Sequence, residues 1–388
     1  MNLFIVPSWY PSASNTTYGI FIKEQIAMMT RLRPEWKVGV STWGQGDPKK
    51  LIWAKDHIKS LSKLLHHQKD TSRIVDDHGF TEYYQPALSW TKRFRMGNLK
   101  DIVRCNELNY QAYTLQHGKP DAIYVQAVYP GVLIGEYLAE KYKVPYYVHI
   151  RLGGFMFQKM LEDLGSLKEQ TLSAISKADS VMVTSDFQAK EIDKWVMETK
   201  TIYNPVDIDF FGVKKGIGDY ALAIGRLEPE KGFDILIDAA ADIANLRLKI
   251  VGDGSQMESL LKKAKQLKVE DRIEFVGEKN REEVRSYIQN CQFLVLPSRY
   301  ETFGNVLPEA MACGKPVVAT KCGGPEEIVN DENGILSDIN AAHLKDCILK
   351  MMSSYNQFDP NVIRGYVVDK FAPEKWMDKV ESALKTHR

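Results

Sequence analysis

The sequence predicts a doubly wound α/β protein, and three observations carry that expectation. Short apolar strands alternate with helical stretches along the whole chain, with no internal repeat and no low-complexity segment. The length of 388 residues sets the prior at two or three domains, and 44% hydrophobic with 26% charged residues suffices for real cores. Residues 292–320 show the pattern most clearly, reading as strand, loop, short helix and strand.

Taken in chain order, Leu3 to Val6 is the first strand, and VPYYVHI (144–150) is another. SVMVTS (180–185) and a helix from Asp186 close a first domain of residues 1–203, and a second runs over 204–370. Tyr220 to Ile224 is a strand, Gly225 begins a turn, and an amphipathic helix starts at about Phe233. QFLVLP (292–297) is a compact apolar strand, and NVLPEAMACG keeps apolar residues at helical spacing until Gly314. Glycine accepts the left-handed conformation that closes a helix. KPVVAT (315–320) is the next strand. Pro373 and the stripe of Trp376, Val380 and Leu384 predict a packed helix within residues 371–388.

Composition bounds the surroundings. No apolar run approaches the roughly eighteen residues of a transmembrane helix, and MNLFIVPSWYP lacks a basic start and a long apolar stretch. The expectation is a cytosolic chain. Cys105, Cys291, Cys313, Cys322 and Cys347 are scattered and form no CxxC pair, which predicts reduced, structural thiols. Net charge is +1, and no nucleic-acid partner is expected. Residues 1–200 carry 26 Lys and Arg against 21 Asp and Glu, a net +5, and the remainder carries −4. The excess gathers in residues 49–69, where Leu51, Ile58, Leu61 and Leu65 mark one helical face and Lys49, Lys50, Lys55, Lys59, Lys63 and Lys69 spread around it. Such a helix can lie on an anionic membrane surface, peripheral to the inner face of the cell membrane. It can equally pack its stripe on the sheet of its own domain.

The chemistry concentrates in two segments. Glu301 stands in the loop at the carboxyl end of a strand, where open parallel sheets bind ligands. Glu309 follows about one turn into the helix, and the amides of Phe303, Gly304, Asn305 and Val306 sit at its amino terminus, a site for phosphate. Carboxylates beside such amides suit a ligand with both a diphosphate and hydroxyl-rich rings. The cations come from the turn after Ile224, where Arg226 and Lys231 can converge and Gly232 lets the backbone come close. A departing nucleoside diphosphate gains charge as its bond to the sugar breaks, so fixed cations there stabilise the transition state.

Three other signals are weaker. Asp207 and Asp209 spell DxD, yet they follow NPV in an interdomain segment, where capping is the expected role. VGDG (251–254) has two of the three glycines of a dinucleotide fingerprint. His66 and His67, as neighbours on a helix, point in different directions, and no metal site is expected.

GRLEPEKG, VGDG, ETFGNVLPE and NPVD (204–207), in that order over residues 200–330, resemble family 4 of the nucleotide-sugar glycosyltransferases. PSWYP (7–11), GIFIKEQ (19–25) and VYPGVLIGEYLAEKYKVP (128–145) resemble its amino-terminal half. The resemblance implies the GT-B architecture: two Rossmann-like domains facing a central cleft, acceptor side first and nucleotide-sugar side second, with the final helix returning to the first. It implies transfer from a nucleoside diphosphate sugar, UDP- or GDP-linked, with retention of anomeric configuration, to a glycan or lipid-linked acceptor. No other cofactor is implied. Arg226 and Lys231 would bind the diphosphate, Glu301 the donor sugar and Glu309 the ribose. The amides of Phe303, Gly304 and Asn305 would face sugar or phosphate, and Gly19 belongs to the loop approaching the donor. Relatives often carry a donor-contacting histidine where this chain has Arg151, and His149 lies two residues earlier, on the same face of a strand. Both are candidates, with His149 also readable as a packed residue. A sugar-nucleotide epimerase, a glycoside phosphorylase or a silent sugar-binding relative would share the fold.

Overall fold

The computed structural model describes residues 1–52, 63, 67, 70–90, 95–196, 198–214 and 218–385. Unit 1 comprises Met1–Thr184, Gln188–Ile202 and Met377–Arg388, and unit 2 comprises Ser185–Phe187 and Tyr203–Trp376.

The strands of unit 1 are β1 (Asn2–Pro7), β2 (Lys37–Thr42), β3 (Leu51–Ile52), β4 (Arg73–Asp77), β5 (Phe80–Tyr84), β6 (Ser89–Trp90), β7 (Ala122–Gln126), β8 (Tyr146–His149), β9 (Ser180–Val183) and β10 (Thr199–Thr201). Eight of them form one sheet in the order β10-β9-β8-β7-β1-β2-β5-β4, and β3 pairs with β6. Pairing in the large sheet is parallel except between β4 and β5. That hairpin turns at His78 and Gly79, both at positive φ, as a tight two-residue turn needs. β7 and β8 are buried throughout and β1 from Leu3 onward, because helices on both faces exclude water.

Unit 2 holds β11 (Ala221–Ile224), β12 (Leu248–Val251), β13 (Ile273–Gly277), β14 (Leu294–Leu296), β15 (Val317–Thr320) and β16 (Gly334–Ser337). They form an all-parallel sheet ordered β13-β12-β11-β14-β15-β16. Its strand order reverses between β11 and β14, and the loops after those two strands carry the candidate site.

The predicted elements recur with trimmed ends. The helices Phe233–Ala241 and Asp186–Ile192 start where the sequence places them. The site helix is Val306–Ala312, closed by Gly314 at φ 71°. The last predicted helix is shorter: Phe371 ends the helix Pro360–Phe371, and Pro373–Leu384 follows. Proline has no N–H to continue the ladder, so the chain breaks there. Within unit 1, Arg33 binds Asp378 and Glu381 at 2.7 and 2.8 Å.

Most of the predicted basic helix at 49–69, including Lys55, Ile58, Lys59, Leu61, Leu65 and Lys69, lies outside the described residues, as does His66. Its beginning corrects the expectation. Pro48–Lys50 is a single 3-10 turn with Asp47 accepting from the Lys49 amide, and Leu51 enters β3. Lys50 is buried, its Nζ 2.5 Å from Asp70, because a carboxylate inside the domain offers more than water does. No helix among the described residues is long and apolar enough to cross a membrane. All five cysteines are buried free thiols.

Candidate active site

The loops that follow β11 and β14 bring Lys231 and Glu301 together. Lys231 Nζ lies 2.5 Å from Glu301 Oε1, and Ser298 Oγ donates to the same oxygen at 2.9 Å. Glu301 is 9% exposed, and the Lys231 side chain is 22% exposed. The ammonium neutralises the carboxylate before any ligand arrives, so an anion meets less repulsion there than a bare glutamate would impose.

Glycines and a strut fix this meeting. Gly232 has φ 64°, and a Cβ on it would stand 2.1 Å from Pro297 O, so the Lys231 loop lies directly against the end of β14. Arg299 latches the two loops: its amide donates to Glu230 O at 2.8 Å, and its guanidinium to Pro229 O at 2.9 Å and to both Asp234 oxygens at 2.7 Å. The hydrogen bonds from Arg299 hold the Asp234 carboxyl below the usual range. Glu301 itself is pinned through its backbone, donating to Cys322 O at 3.0 Å and accepting from the Gly324 amide at 2.9 Å. Glu326 accepts from the amides of Cys322 and Gly323, at 3.0 and 2.9 Å. Ser298, Arg299 and Glu326 are residues that sequence reasoning missed; a serine three positions before Glu301 was the one available signal.

Arg226 stays outside the Lys231–Glu301 ion pair. Its side chain is exposed, and the nearest carboxylate is Glu230 at 3.7 Å. Gly225 meets the VGDG segment: a Cβ on Gly252 would stand 1.9 Å from Gly225 O, so that glycine serves close backbone packing. Gly304 has φ 85°, and the Leu307 amide closes onto Gly304 O at 2.9 Å. Phe303, Gly304, Asn305 and Val306 therefore lie at the open end of the helix, whose first amides have no intrahelical partner. Glu309 is half-buried in its first turn. Asn204, from NPVD, donates to Asn305 Oδ1 at 2.9 Å, a contact sequence reasoning also missed. Asp207 accepts from the Phe210 amide at 3.1 Å and caps a turn, while Asp209 is exposed. Among the described residues no group of three or more His, Cys, Asp and Glu is placed to hold a metal ion.

The remaining candidates belong to unit 1. Gly19 has φ 71°, and a Cβ there would stand 2.6 Å from the Trp9 carbonyl carbon. β8 ends at His149, so Arg151 lies in the loop beyond it and the expected shared strand face is not formed. Arg151 is buried and donates to Gln126 Oε1 at 3.1 and 2.9 Å and to Gln25 Oε1 at 2.7 Å. Burial pulls its pKa down to about 10, which leaves it charged at neutral pH. His149 is fully buried, with Nδ1 2.8 Å from the Tyr124 hydroxyl. Burial and, second, the charge of Arg151 drive its pKa well below the ordinary value, the signature of a packed neutral imidazole.

Both units are α/β, each with a sheet whose strand order reverses, and unit 2 carries the Lys231–Glu301 pair at its reversal. Residues 208–364 match the family model described as glycosyl transferases group 1. The chain is 34% identical over 313 residues to the uncharacterized glycosyltransferase MJ1178 of Methanocaldococcus jannaschii, covering 77% of this chain and 84% of that one. It belongs to the group 1 glycosyl transferases. A Campylobacter jejuni enzyme, N-acetylgalactosamine-N,N'-diacetylbacillosaminyl-diphospho-undecaprenol 4-alpha-N-acetylgalactosaminyltransferase, is 34% identical over 191 residues, 47% of this chain and half of that relative's length. The solved structure of Anabaena HepE in complex with UDP and glucose superposes with a TM-score of 0.72 at 19% identity, covering 99% of both chains. The fold is GT-B.

Proposed function

We propose that this protein is a retaining, metal-independent glycosyltransferase of the cytoplasm. It moves a sugar from a UDP- or GDP-linked donor to a glycan or lipid-linked saccharide during cell-surface polysaccharide or glycan assembly. The observation that carries this reading is the Lys231–Glu301 pair at the strand-order reversal of unit 2. In this reading unit 2 holds the donor and unit 1 the acceptor. Lys231 and Arg226 take the diphosphate, Glu301 the sugar hydroxyls and Glu309 the ribose. The amides from Phe303 to Val306 face phosphate or sugar, Gly225 keeps the turn close, and the Gly19 loop and Arg151 approach the donor. Diphosphate stabilisation does most of the work, because charge grows on the leaving group where the cations stand.

HepE, which binds UDP and glucose, supports the donor class, and the diphospho-undecaprenol named for the Campylobacter relative supports a lipid-linked acceptor. The test is a panel of UDP- and GDP-sugars incubated with saccharide acceptors, with the anomeric configuration of products assigned by NMR. Transfer with retention is the expected result. An isomerised donor would make the protein an epimerase, phosphate-dependent cleavage a phosphorylase, and binding without turnover a silent sugar-binding relative.

A further inference from the structure

β4 closes the large sheet of unit 1 on one side, and among the described residues no strand pairs with its outer edge. Arg73 to Asp76 are exposed, and Ile74 and Val75, both β-branched and apolar, stand at 58% and 44%. Unpaired amides and carbonyls on such an edge recruit other strands, so natural sheets guard it with short strands, bulges, proline, charges or a covering element. The other edges fit that rule: β10 has three residues, β16 has four, and β13 pairs with β12 through a shifted register. On β4 the guard is charge, from Arg73, Asp76 and Asp77. Against a second copy of the same strand that guard becomes complementary.

The ladder fixes which backbone groups point outward. Gln85 donates to Thr42 O at 3.1 Å, so odd-numbered residues of β5 face β2 and even-numbered ones face β4. Phe80, Glu82 and Tyr84 pair with Asp77, Val75 and Arg73, which leaves the amides and carbonyls of Ile74 and Asp76 directed out of the sheet. An antiparallel second β4, related by a twofold axis, must match outward residues to outward residues. With the axis at Val75, Ile74 exchanges both hydrogen bonds with Asp76 of the second copy, and each Arg73 stands opposite the other copy's Asp77. An axis at Arg73, Asp76 or Asp77 would set like charges face to face, and one at Ile74 would set Arg73 against valine.

We infer that β4 pairs with β4 of a second copy across a twofold axis at Val75, joining two unit 1 sheets edge to edge in a homodimer. Charge selects the register, and backbone hydrogen bonds with the two facing valines hold it. Arg73 stacks on Tyr84 at 3.7 Å and lies 3.3 Å from Asp70, while Lys23 lies 2.5 Å from Asp77, so both ends of each new pair are anchored before a copy arrives. A single strand edge falls at the small end of specific interfaces, so the association is reversible and micromolar.

Sedimentation equilibrium of the full chain should show a monomer–dimer equilibrium with Kd on the order of 10 to 100 μM. Over the same concentrations, amide exchange should slow at Ile74 and Asp76 more than at Val75, whose amide already bonds β5. Val75→Cys under mild oxidation should give a disulfide-linked dimer, because facing residues of a non-hydrogen-bonded pair lie about 4.5 Å apart at Cα. Ile74→Cys should not, since its two copies stand diagonally, about 7–8 Å apart. The five native thiols are buried, so they add little background. Val75→Lys should weaken association about tenfold or more with the melting temperature near that of wild type, since the position is exposed. A chain that stays monomeric to about 300 μM, a dimer indifferent to Val75→Lys, or crosslinking through Ile74→Cys as readily as through Val75→Cys would each overturn the inference.

Discussion

Lys231 and Glu301, seventy positions apart in sequence, share one ion pair at 2.5 Å, and Ser298 donates to the same carboxylate oxygen. Glu301 is thus oriented by two donors on one oxygen before any sugar hydroxyl reaches it. Glu301→Gln keeps the size and removes the charge. Turnover should fall about 10² to 10³-fold while calorimetric affinity for UDP or GDP changes little. Unaltered turnover in the purified variant would remove Glu301 from the reaction.

Lys231→Ala acts twice. It should weaken nucleoside diphosphate binding, and it strands a nearly buried carboxylate at a cost of about 2 kcal/mol. Arg226→Ala should weaken binding with stability within about 0.5 kcal/mol of wild type, since that side chain is exposed. The binding loss in the double variant should be less than the sum of the two, because both would grip one diphosphate. Adding Glu301→Gln to Lys231→Ala should restore part of the lost stability. Strict additivity in binding, read by calorimetry, would place the two cations on different ligands.

On the proposed reading the Arg299 latch aligns the two loops and leaves the reactants to Lys231 and Glu301. Arg299→Ala should lower kcat about tenfold and leave nucleotide affinity near wild type, because it loosens the register between the Lys231 and Glu301 loops. Equal losses in kcat and affinity would make the latch part of the binding surface.

The parts of the site were legible in unequal measure. Strand, loop and helix around Glu301 followed from an apolar run, helical spacing and Gly314, all local signals. Lys231 and Glu301 were each visible as residue types in suitable loops. Their pairing was not, because it is decided by which strands lie side by side, and two strands, β12 and β13, intervene in sequence between β11 and β14. Arg299 and Asp234 were hidden for the same reason. His149 and Arg151 read as alternatives for one role on the same face of an extended strand, but the ladder stops at His149 and burial decides its chemistry. The hairpin at His78 and Gly79 had a readable two-residue turn that the alternation of strands and helices masked.

Chelation tests the charge balance. On the proposed reading, Lys231, Arg226 and the open helix end near Asn305 hold the diphosphate without a metal ion, so activity should survive exhaustive EDTA treatment. Loss of activity restored only by Mg²⁺ or Mn²⁺ would return attention to Asp207 and Asp209.

His149 sets a pH dependence of stability. Its folded pKa is depressed, so below the unfolded value of about 6.5 the unfolded chain binds a proton that the folded chain does not. The stability it supports is complete above that pH and declines as pH falls, by at most about 1.4 kcal/mol per pH unit. Burial first, and the nearby Arg151 charge second, oppose protonation of the ring in place. His149→Gln, which keeps a partner for Tyr124, should flatten the melting-temperature decline between about pH 6.5 and 5. An identical decline would show that other groups govern the acid limb.

The five thiols have a practical corollary. All are buried, and burial pushes Cys105 up to about 11 and Cys291, Cys313 and Cys322 up to about 12, so almost none of their sulfur is thiolate at neutral pH. Maleimide reagents attack thiolates that they can reach. A single cysteine placed on an exposed position such as Phe155 would therefore take a fluorophore or spin label selectively in the otherwise native chain. Distance measurements during turnover would need no cysteine-free background.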